Sequence, residues 1–254
     1  MKAVFFTEHG GPEVLRYDTL EAPQPGPGEI QVQIHAAAVN HLDIWVRNGW
    51  PGIRLEYPHI PGGDGAGLVS AVGEGVTSLA VGDRVVLNGT TSCGMCEYCL
   101  AGQDNMCRQG GRLGETQNGT YAEYIAVPER NAIKLPEHIS FAEGAASSLV
   151  FLSAWHSLIT RGNIRPGESV LVVGAGGGLN TAAIQIAKLT GCYVFVVGST
   201  DEKLARAQEL GADITINRYK QDWGQAVYQV TGKRGVDVVV DNVGQETWAT
   251  SLRA

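Results

Sequence analysis

The sequence predicts a two-part chain of the α/β plus β class: a β domain over residues 1–130, then a doubly wound parallel sheet over residues 131–254. Three observations predict it. Short apolar segments broken by Gly and Pro fill the first half, and a strand–helix–strand rhythm fills the second. A run of glycines stands between the first strand of that rhythm and its helix.

In the first half the apolar segments are Ala3–Phe6, Ile30–Ala36, Gly67–Val72, Arg84–Leu87 and Ala122–Ala126, punctuated by stretches such as Pro23–Gly28. Regular short strands of this kind suggest a small barrel-like β domain. Ser140 and Glu143 then form a capping box that opens an apolar helix through Leu149, Leu152, Trp155 and Leu158. Ser169–Val173 is a continuous apolar strand, followed by a helix carrying Ala182, Ala183, Ile186 and Ala187. Tyr193–Val197, Asp213–Ile216 and Val236–Asp241 read as further strands, separated by helices over Glu202–Leu210 and Gln225–Thr231. Strands apolar on both faces and alternating with helices make a parallel sheet. Such sheets commonly have two more strands, and the last one here would leave a bare edge, so the sequence is expected to be truncated at its C-terminal end.

Bulk properties exclude several functions. Hydrophobic residues are 44% and charged residues 18% of the chain, a globular balance rather than a disordered or fibrous one. Lys and Arg total 19 against 26 Asp and Glu, a net charge of −7, so broad binding to nucleic acid or to an anionic membrane is not expected. No apolar run nears the roughly 18 residues of a membrane helix. The start, Met1–Glu8, turns polar too early for a secretory signal, so a cytoplasmic protein is expected. In that reducing compartment the cysteines point to metal or chemistry before disulfides.

Cys93, Cys96, Cys99 and Cys107 stand as C-x2-C-x2-C-x7-C in a Gly-rich lobe at about residues 90–110. Four thiolates in one loop can surround a tetrahedral Zn²⁺ and leave no position for substrate, so one structural Zn²⁺ is expected. Disulfides or free thiols are the alternatives. Cys192 opens an apolar strand and reads as a core residue.

The glycine run, Gly174–Gly178 followed by Leu179, has the context of a dinucleotide site, because a helix N-terminus there receives the pyrophosphate. The strict G-x-G-x-x-G pattern is not met, and a purely structural turn is the alternative. An acid about 20 positions further on usually binds the ribose of NAD. Here Gly198, Ser199, Thr200 and Lys203 stand in that neighbourhood, which suits a 2′-phosphate and favours NADP(H) over NAD(H). The alternative is that Ser199 and Glu202 form a capping box, with Asp201 and Glu202 suiting the helix dipole.

At this point the sequence resembles the medium-chain dehydrogenase/reductase superfamily, which holds the zinc-type alcohol dehydrogenases and the quinone oxidoreductases. The resemblance runs over the whole chain. It is carried by Gly10–Leu15, Pro27–Glu29, Ala38–Asp43, Pro61–Gly67, Gly82–Val85, the four cysteines, Gly119–Tyr124 and Ala182–Lys188. It implies a GroES-like β-barrel catalytic domain followed by a Rossmann cofactor domain, a small-molecule substrate, and a homodimer or homotetramer for the full-length protein.

The departures from the family are informative. Family members with a catalytic zinc place ligands at the positions of Asn40 and Gly63 and near Ser148–Leu149, and a proton-relay hydroxyl at Leu42. Asp64 stands where the family has an acid beside the metal, but three protein ligands are needed. The resemblance therefore implies a kept structural zinc and a lost catalytic one. Without a Lewis acid, the easier hydride acceptor is the β-carbon of a conjugated carbonyl or a quinone, whose developing enolate needs only hydrogen-bond donors. Asn40 resembles the Asn of the zinc-free quinone oxidoreductase branch, with Asp43 and Trp45 as its neighbours. Asn40 would donate to the substrate oxygen or the nicotinamide ribose, Asp43 would orient water or a donor, and Trp45 would wall the nicotinamide. Their alternatives are a turn residue, a helix cap and a core residue.

Ser153 matches a family Thr near the nicotinamide, and Arg218 and Asn242 join the expected cofactor set with Gly174, Gly177, Gly178, Leu179, Ser199, Thr200 and Lys203. His41, His59 and His156 read as surface or satisfied core residues. The expectation is an NADPH-dependent reductase of enones or quinones. Its rivals are an alcohol dehydrogenase and a nucleotide-binding protein without turnover.

Overall fold

A computed structural model describes residues 1–254, which divide into two compact units, Met1–Leu149 and Val150–Ala254. In the first unit, β1 (Lys2–Phe5) pairs antiparallel with β2 (Arg16–Thr19). They are followed by β3 (Glu29–Ala38), α1 (His41–Asn48), β4 (Asp64–Val72), β5 (Arg84–Leu87) and β6 (Thr90–Thr91). Next come α2 (Glu97–Leu100), β7 (Gly111–Arg112), β8 (Tyr124–Pro128), β9 (Ala132–Lys134) and the start of α3 (Phe141–Trp155).

The main sheet has the order β8-β3-β4-β5-β9 with every pair antiparallel. Its two outer strands are consecutive in the chain, joined only by Glu129–Asn131. Three residues span at most about 10 Å, so the sheet must curl until its edges nearly meet. Asn131 holds that closure from within: it is 2% exposed, and its Nδ2 donates to the carbonyls of Asn88 and Thr90, each at 2.8 Å. The curled sheet encloses Ile30, Val32, Val69, Val85, Leu87 and Val127. Each such burial contributes about 1.5–3 kcal/mol.

The unit does not end near residue 130, where the composition shifts. Leu135, Ile139, Phe141 and Ala145 pack with Ala66, Ala36 and Val86 of the sheet, so the compact body extends to Leu149. The helix α3 starts as expected, with Ser140 N donating to Glu143 Oε2 at 2.8 Å and Glu143 N to Ser140 Oγ at 3.2 Å. Its last turns, His156–Arg161, widen to a π-helix.

The second unit carries β10 (Ser169–Val173), α4 (Gly178–Leu189), β11 (Tyr193–Gly198), α5 (Asp201–Glu209), β12 (Ile214–Asn217), α6 (Trp223–Val230), β13 (Val238–Asp241) and α7 (Trp248–Ser251). The strands are parallel in the order β12-β11-β10-β13. Alternation along β10 separates two cores. Val170 and Val172 pack with Ala182, Ala183 and Ile186 of α4 and Leu204 of α5, while Leu171 and Val173 pack with Trp223 and Val227 of α6. Helices therefore cover both faces. The strand order reverses between β10 and β13, and such a reversal opens a crevice at the carboxyl ends of the strands. No helix is long and apolar enough to cross a membrane.

Candidate functional site

The glycine-rich turn leaves β10 at that crevice. Gly174 has φ +107°, and a Cβ there would lie 2.5 Å from Asn180 Nδ2. That position favours glycine on both counts. Gly198 ends β11 against the same turn, where a Cβ would meet Leu204 at 2.6 Å and Ala175 at 2.8 Å. A side chain on the strand end would crowd these two residues, so an acid at this point would have to displace them.

Between the turn and the β11 end lies a cavity of about 260 Å³. Gly174, Gly177, Ser199, Lys203 and Arg218 of the expected cofactor set line it. Gly178 and Leu179 open α4 behind it, Thr200 caps α5, Asn242 follows β13, and Ser153 lies on α3; none of these forms its wall. Sequence reasoning passed over Gly176, Val243 and Asn180, which do line it. Asn180 is 3% exposed and donates to the carbonyls of Val173 at 3.0 Å and Gly174 at 2.7 Å, which pins the turn. An amide at the first turn of an apolar helix, directly after the glycines, is the available signal.

The polar groups around this cavity are unevenly engaged. Thr200, rather than Ser199, is the N-cap of α5, its Oγ1 accepting from Lys203 N at 3.3 Å. The chain turns into the helix one residue later than the Ser199–Glu202 pattern suggests, so that pair forms no capping box. Asp201 is drawn away, accepting from Lys220 Nζ at 2.5 Å and Asn217 Nδ2 at 2.8 Å. Those partners, Lys220 foremost, hold its carboxyl below the ordinary range. Glu202 pairs with Arg206 at 3.5 Å. Arg218 stacks on Tyr219, 5.1 Å from the ring centroid, and its Nε is buried without a partner. The acids are thus occupied while Lys203 and Arg218 face the cavity.

In the first unit Asn40 and Asp43, expected at the reacting centre, join Asp64 and Tyr121 in a hydrogen-bonded cluster at the start of α1 and β4, and Trp45 stands outside it. Asn40 is the N-cap of α1, and its backbone N donates to Asp43 Oδ2 at 2.7 Å. Asn40 Nδ2 donates to Asp64 Oδ2 at 2.8 Å, and Leu149 N donates to Asp64 Oδ1 at 2.9 Å. Tyr121, which sequence reasoning did not single out, donates its hydroxyl to Asp43 Oδ2 at 2.7 Å. Burial pushes the Asp64 carboxyl up, against the hydrogen bond from Asn40 that pulls it down. Burial and the neighbouring Asp43 carboxylate raise the Tyr121 phenol far above its ordinary value, so it keeps the proton it donates to Asp43. Trp45 is 57% exposed and is no core residue; it packs edge-on against His41. His59, by contrast, is buried at 2% exposure with Nε2 3.2 Å from Gly114 O.

The four cysteines of the lobe meet in space, and their Sγ atoms all lie within 4.8 Å of one another. They form the one group of three or more His, Cys, Asp or Glu side chains close enough to share an ion. The spacings Cys93–Cys99 3.9 Å, Cys96–Cys99 3.5 Å and Cys96–Cys107 3.9 Å suit a tetrahedron of thiolates about 2.3 Å from zinc. No pair is close enough for the roughly 2.05 Å of a disulfide, and all four are free. Backbone N–H groups of Met95 and Cys96 draw the Cys93 thiol down to about 6, which favours the ligating thiolate. Around them Met95 and Leu100 are each 77% exposed, so the lobe has no apolar core of its own.

A closed β unit with a cysteine lobe, joined in one chain to a parallel nucleotide-binding sheet, defines a two-part nucleotide-dependent dehydrogenase architecture. Family models agree: "Alcohol dehydrogenase GroES-like domain" matches residues 26–137 and "Zinc-binding dehydrogenase" matches residues 178–254. An alcohol dehydrogenase of Geobacillus stearothermophilus is 37% identical over 91% of this chain and 68% of its own length. Human quinone oxidoreductase is 30% identical over 95% of this chain and 66% of its own. The crystal structure of an NAD-dependent alcohol dehydrogenase superposes with a TM-score of 0.97 at 48% identity, covering 100% of this chain and 74% of that one. The chain belongs to the medium-chain dehydrogenase/reductase superfamily and is an NAD(P)-dependent oxidoreductase.

Proposed function

We propose that the protein is an NADPH-dependent reductase of conjugated carbonyls or quinones, with one structural zinc held by Cys93, Cys96, Cys99 and Cys107. The observation that carries this reading is the Asn40–Asp64 pair. Where a catalytic metal would need three donors, the chain offers a carboxamide at Asn40, no side chain at Gly63 and a backbone N–H at Leu149. A carboxamide donates to a developing enolate oxygen, which is what hydride addition to a conjugated carbon requires.

Bound NADPH supplies the hydride. The chain's own residues do the rest. The N–H groups at the start of α4 would receive the pyrophosphate, and Asn180 pins the turn before them through the carbonyls of Val173 and Gly174. Lys203, Arg218 and Ser199 would hold the 2′-phosphate, and the partnerless Arg218 Nε is a donor in want of such an acceptor. Asn40 spends one Nδ2 hydrogen on Asp64 and keeps the other for the substrate oxygen. Trp45 offers an exposed aromatic face to a planar substrate. Cys93, Cys96, Cys99 and Cys107 would hold the zinc as four thiolates, which would cross-link a segment that lacks a core.

A second reading is an NAD-dependent alcohol dehydrogenase, favoured by the 48% identity to the structure of that description. Zinc content per chain and turnover with both substrate classes separate the two. One zinc with NADPH consumption on enones or quinones supports the reductase. Two zincs with NAD⁺-linked alcohol oxidation overturn it in favour of the dehydrogenase. Tight NADPH binding without turnover of either class overturns both in favour of a binding protein.

A further inference from the structure

We infer that Tyr121 is a positioning residue for Asn40, acting through Asp43; the inference rests on the reading of Asn40 as the amide that meets substrate. The segment Gly119–Tyr121 is stitched along Ile60–Asp64. Gly119 N donates to Ile60 O at 2.7 Å, Tyr121 N to Pro61 O at 3.1 Å and Thr120 N to Gly62 O at 3.0 Å. Thr120 Oγ1 adds a bond to the Asp64 carbonyl at 2.7 Å. From this strap the Tyr121 hydroxyl reaches Asp43 Oδ2 at 2.7 Å, the same oxygen that accepts from Asn40 N at 2.7 Å. The Asn40 carboxamide in turn donates to Asp64 Oδ2 at 2.8 Å, on the segment the strap holds. The hydrogen bonds close into a ring: Tyr121, Asp43, Asn40, Asp64, Thr120.

Asp43, Asp64 and Thr120 of the ring are buried, Asn40 and Tyr121 half-buried, and the ring carries no cation. Asp43 is 8% exposed, and Asp64 and Thr120 are 1% exposed each. Neither carboxylate takes part in an ion pair. Their orientation therefore depends on neutral donors, and a lost donor to a buried carboxylate is not made good by a neighbouring charge. Within the ring only Asn40 and Tyr121 donate to a carboxylate, Tyr121 from 78 positions away in the chain, while Thr120 donates to the backbone carbonyl of Asp64. The aromatic ring of Tyr121 lies on Gly62, where a Cβ would sit 2.5 Å from Tyr121 Cδ1, so the aromatic body is fixed independently of its hydroxyl.

The test is Tyr121→Phe, which keeps the ring and removes the hydroxyl, beside Asp43→Asn, the double variant, and Tyr124→Phe on β8 as control. Amide exchange at Asn40 is expected to speed up about 10-fold in Tyr121→Phe, with the amides of β4 unchanged. With the acceptor the wild type turns over, kcat is expected to fall about 10- to 100-fold while KM for the cofactor holds. The double variant should be no slower than Asp43→Asn alone, because both changes break one chain of contacts. Unchanged exchange at Asn40, or fully additive losses in kcat, overturns the inference. A wild type inactive on enones and quinones overturns the reading of function instead, and exchange at Asn40 then decides the role of Tyr121 by itself.

Discussion

Asn40 Nδ2 and Asp64 Oδ2 lie 2.8 Å apart, joining a helix N-cap to the first residue of β4 across 24 positions of sequence. The pair places a buried carboxylate beside the amide proposed to meet substrate. No cation faces that carboxylate, so its charge has consequences for stability as well as for the site.

The first prediction concerns pH. Burial raises the Asp64 carboxyl above its ordinary value, so the folded chain binds a proton there more tightly than the unfolded chain does. The charged form thus costs stability at neutral pH, and that cost is relieved as pH falls through the raised value towards about 4. Thermal unfolding of wild type and Asp64→Asn, compared from pH 7 down to about pH 4, should show the wild type gaining relative to the variant. A pH-independent difference would sink this account of Asp64.

The second concerns the cysteine lobe. Chelation of the protein, or Cys93→Ser, is expected to remove the proposed lobe zinc and to lower Tm by roughly 5–10 °C, since the lobe has little apolar burial to replace the cross-link. Metal analysis beside a melting curve measures both. Full zinc content in Cys93→Ser would place the ion elsewhere.

The third concerns cofactor choice. Arg218→Ala removes the guanidinium whose Nε is buried and partnerless beside Lys203 and Ser199. Affinity for NADPH should weaken about 10- to 100-fold while that for NADH stays within about 2-fold, the difference reflecting lost charge-assisted hydrogen bonds to the 2′-phosphate. Fluorescence titration with both cofactors reads the ratio. Equal loss for the two would favour NAD, in line with the second reading.

How much was legible in the sequence depends on the range of the interaction. The strand of Arg84–Leu87 and the helix start at Ser140 were readable because they rest on periodicity and on a cap three residues long. The Ser199–Glu202 capping box, the alternative to a cofactor role for Ser199, does not form, since Ser199 and Thr200 both offer a hydroxyl and Thr200 is the one that caps α5. The first unit extends past residue 130 because Leu135 and Phe141 pack back on the sheet, a contact that composition does not reveal.

By itself the sequence determined the cysteine spacing that brings four thiols together, the glycines that let the α4 turn close, and the absence of metal donors at Asn40 and Gly63. These are properties of side-chain chemistry and local backbone freedom, which neighbours in sequence settle. Only the tertiary structure decided which groups are engaged. Asp201 is taken by Lys220, Arg218 is left with a free Nε, and Tyr121 meets Asp43 across 78 positions. A hydrogen bond requires its atoms to approach within about 3 Å in the right direction, and for residues so far apart in the chain packing alone sets that approach.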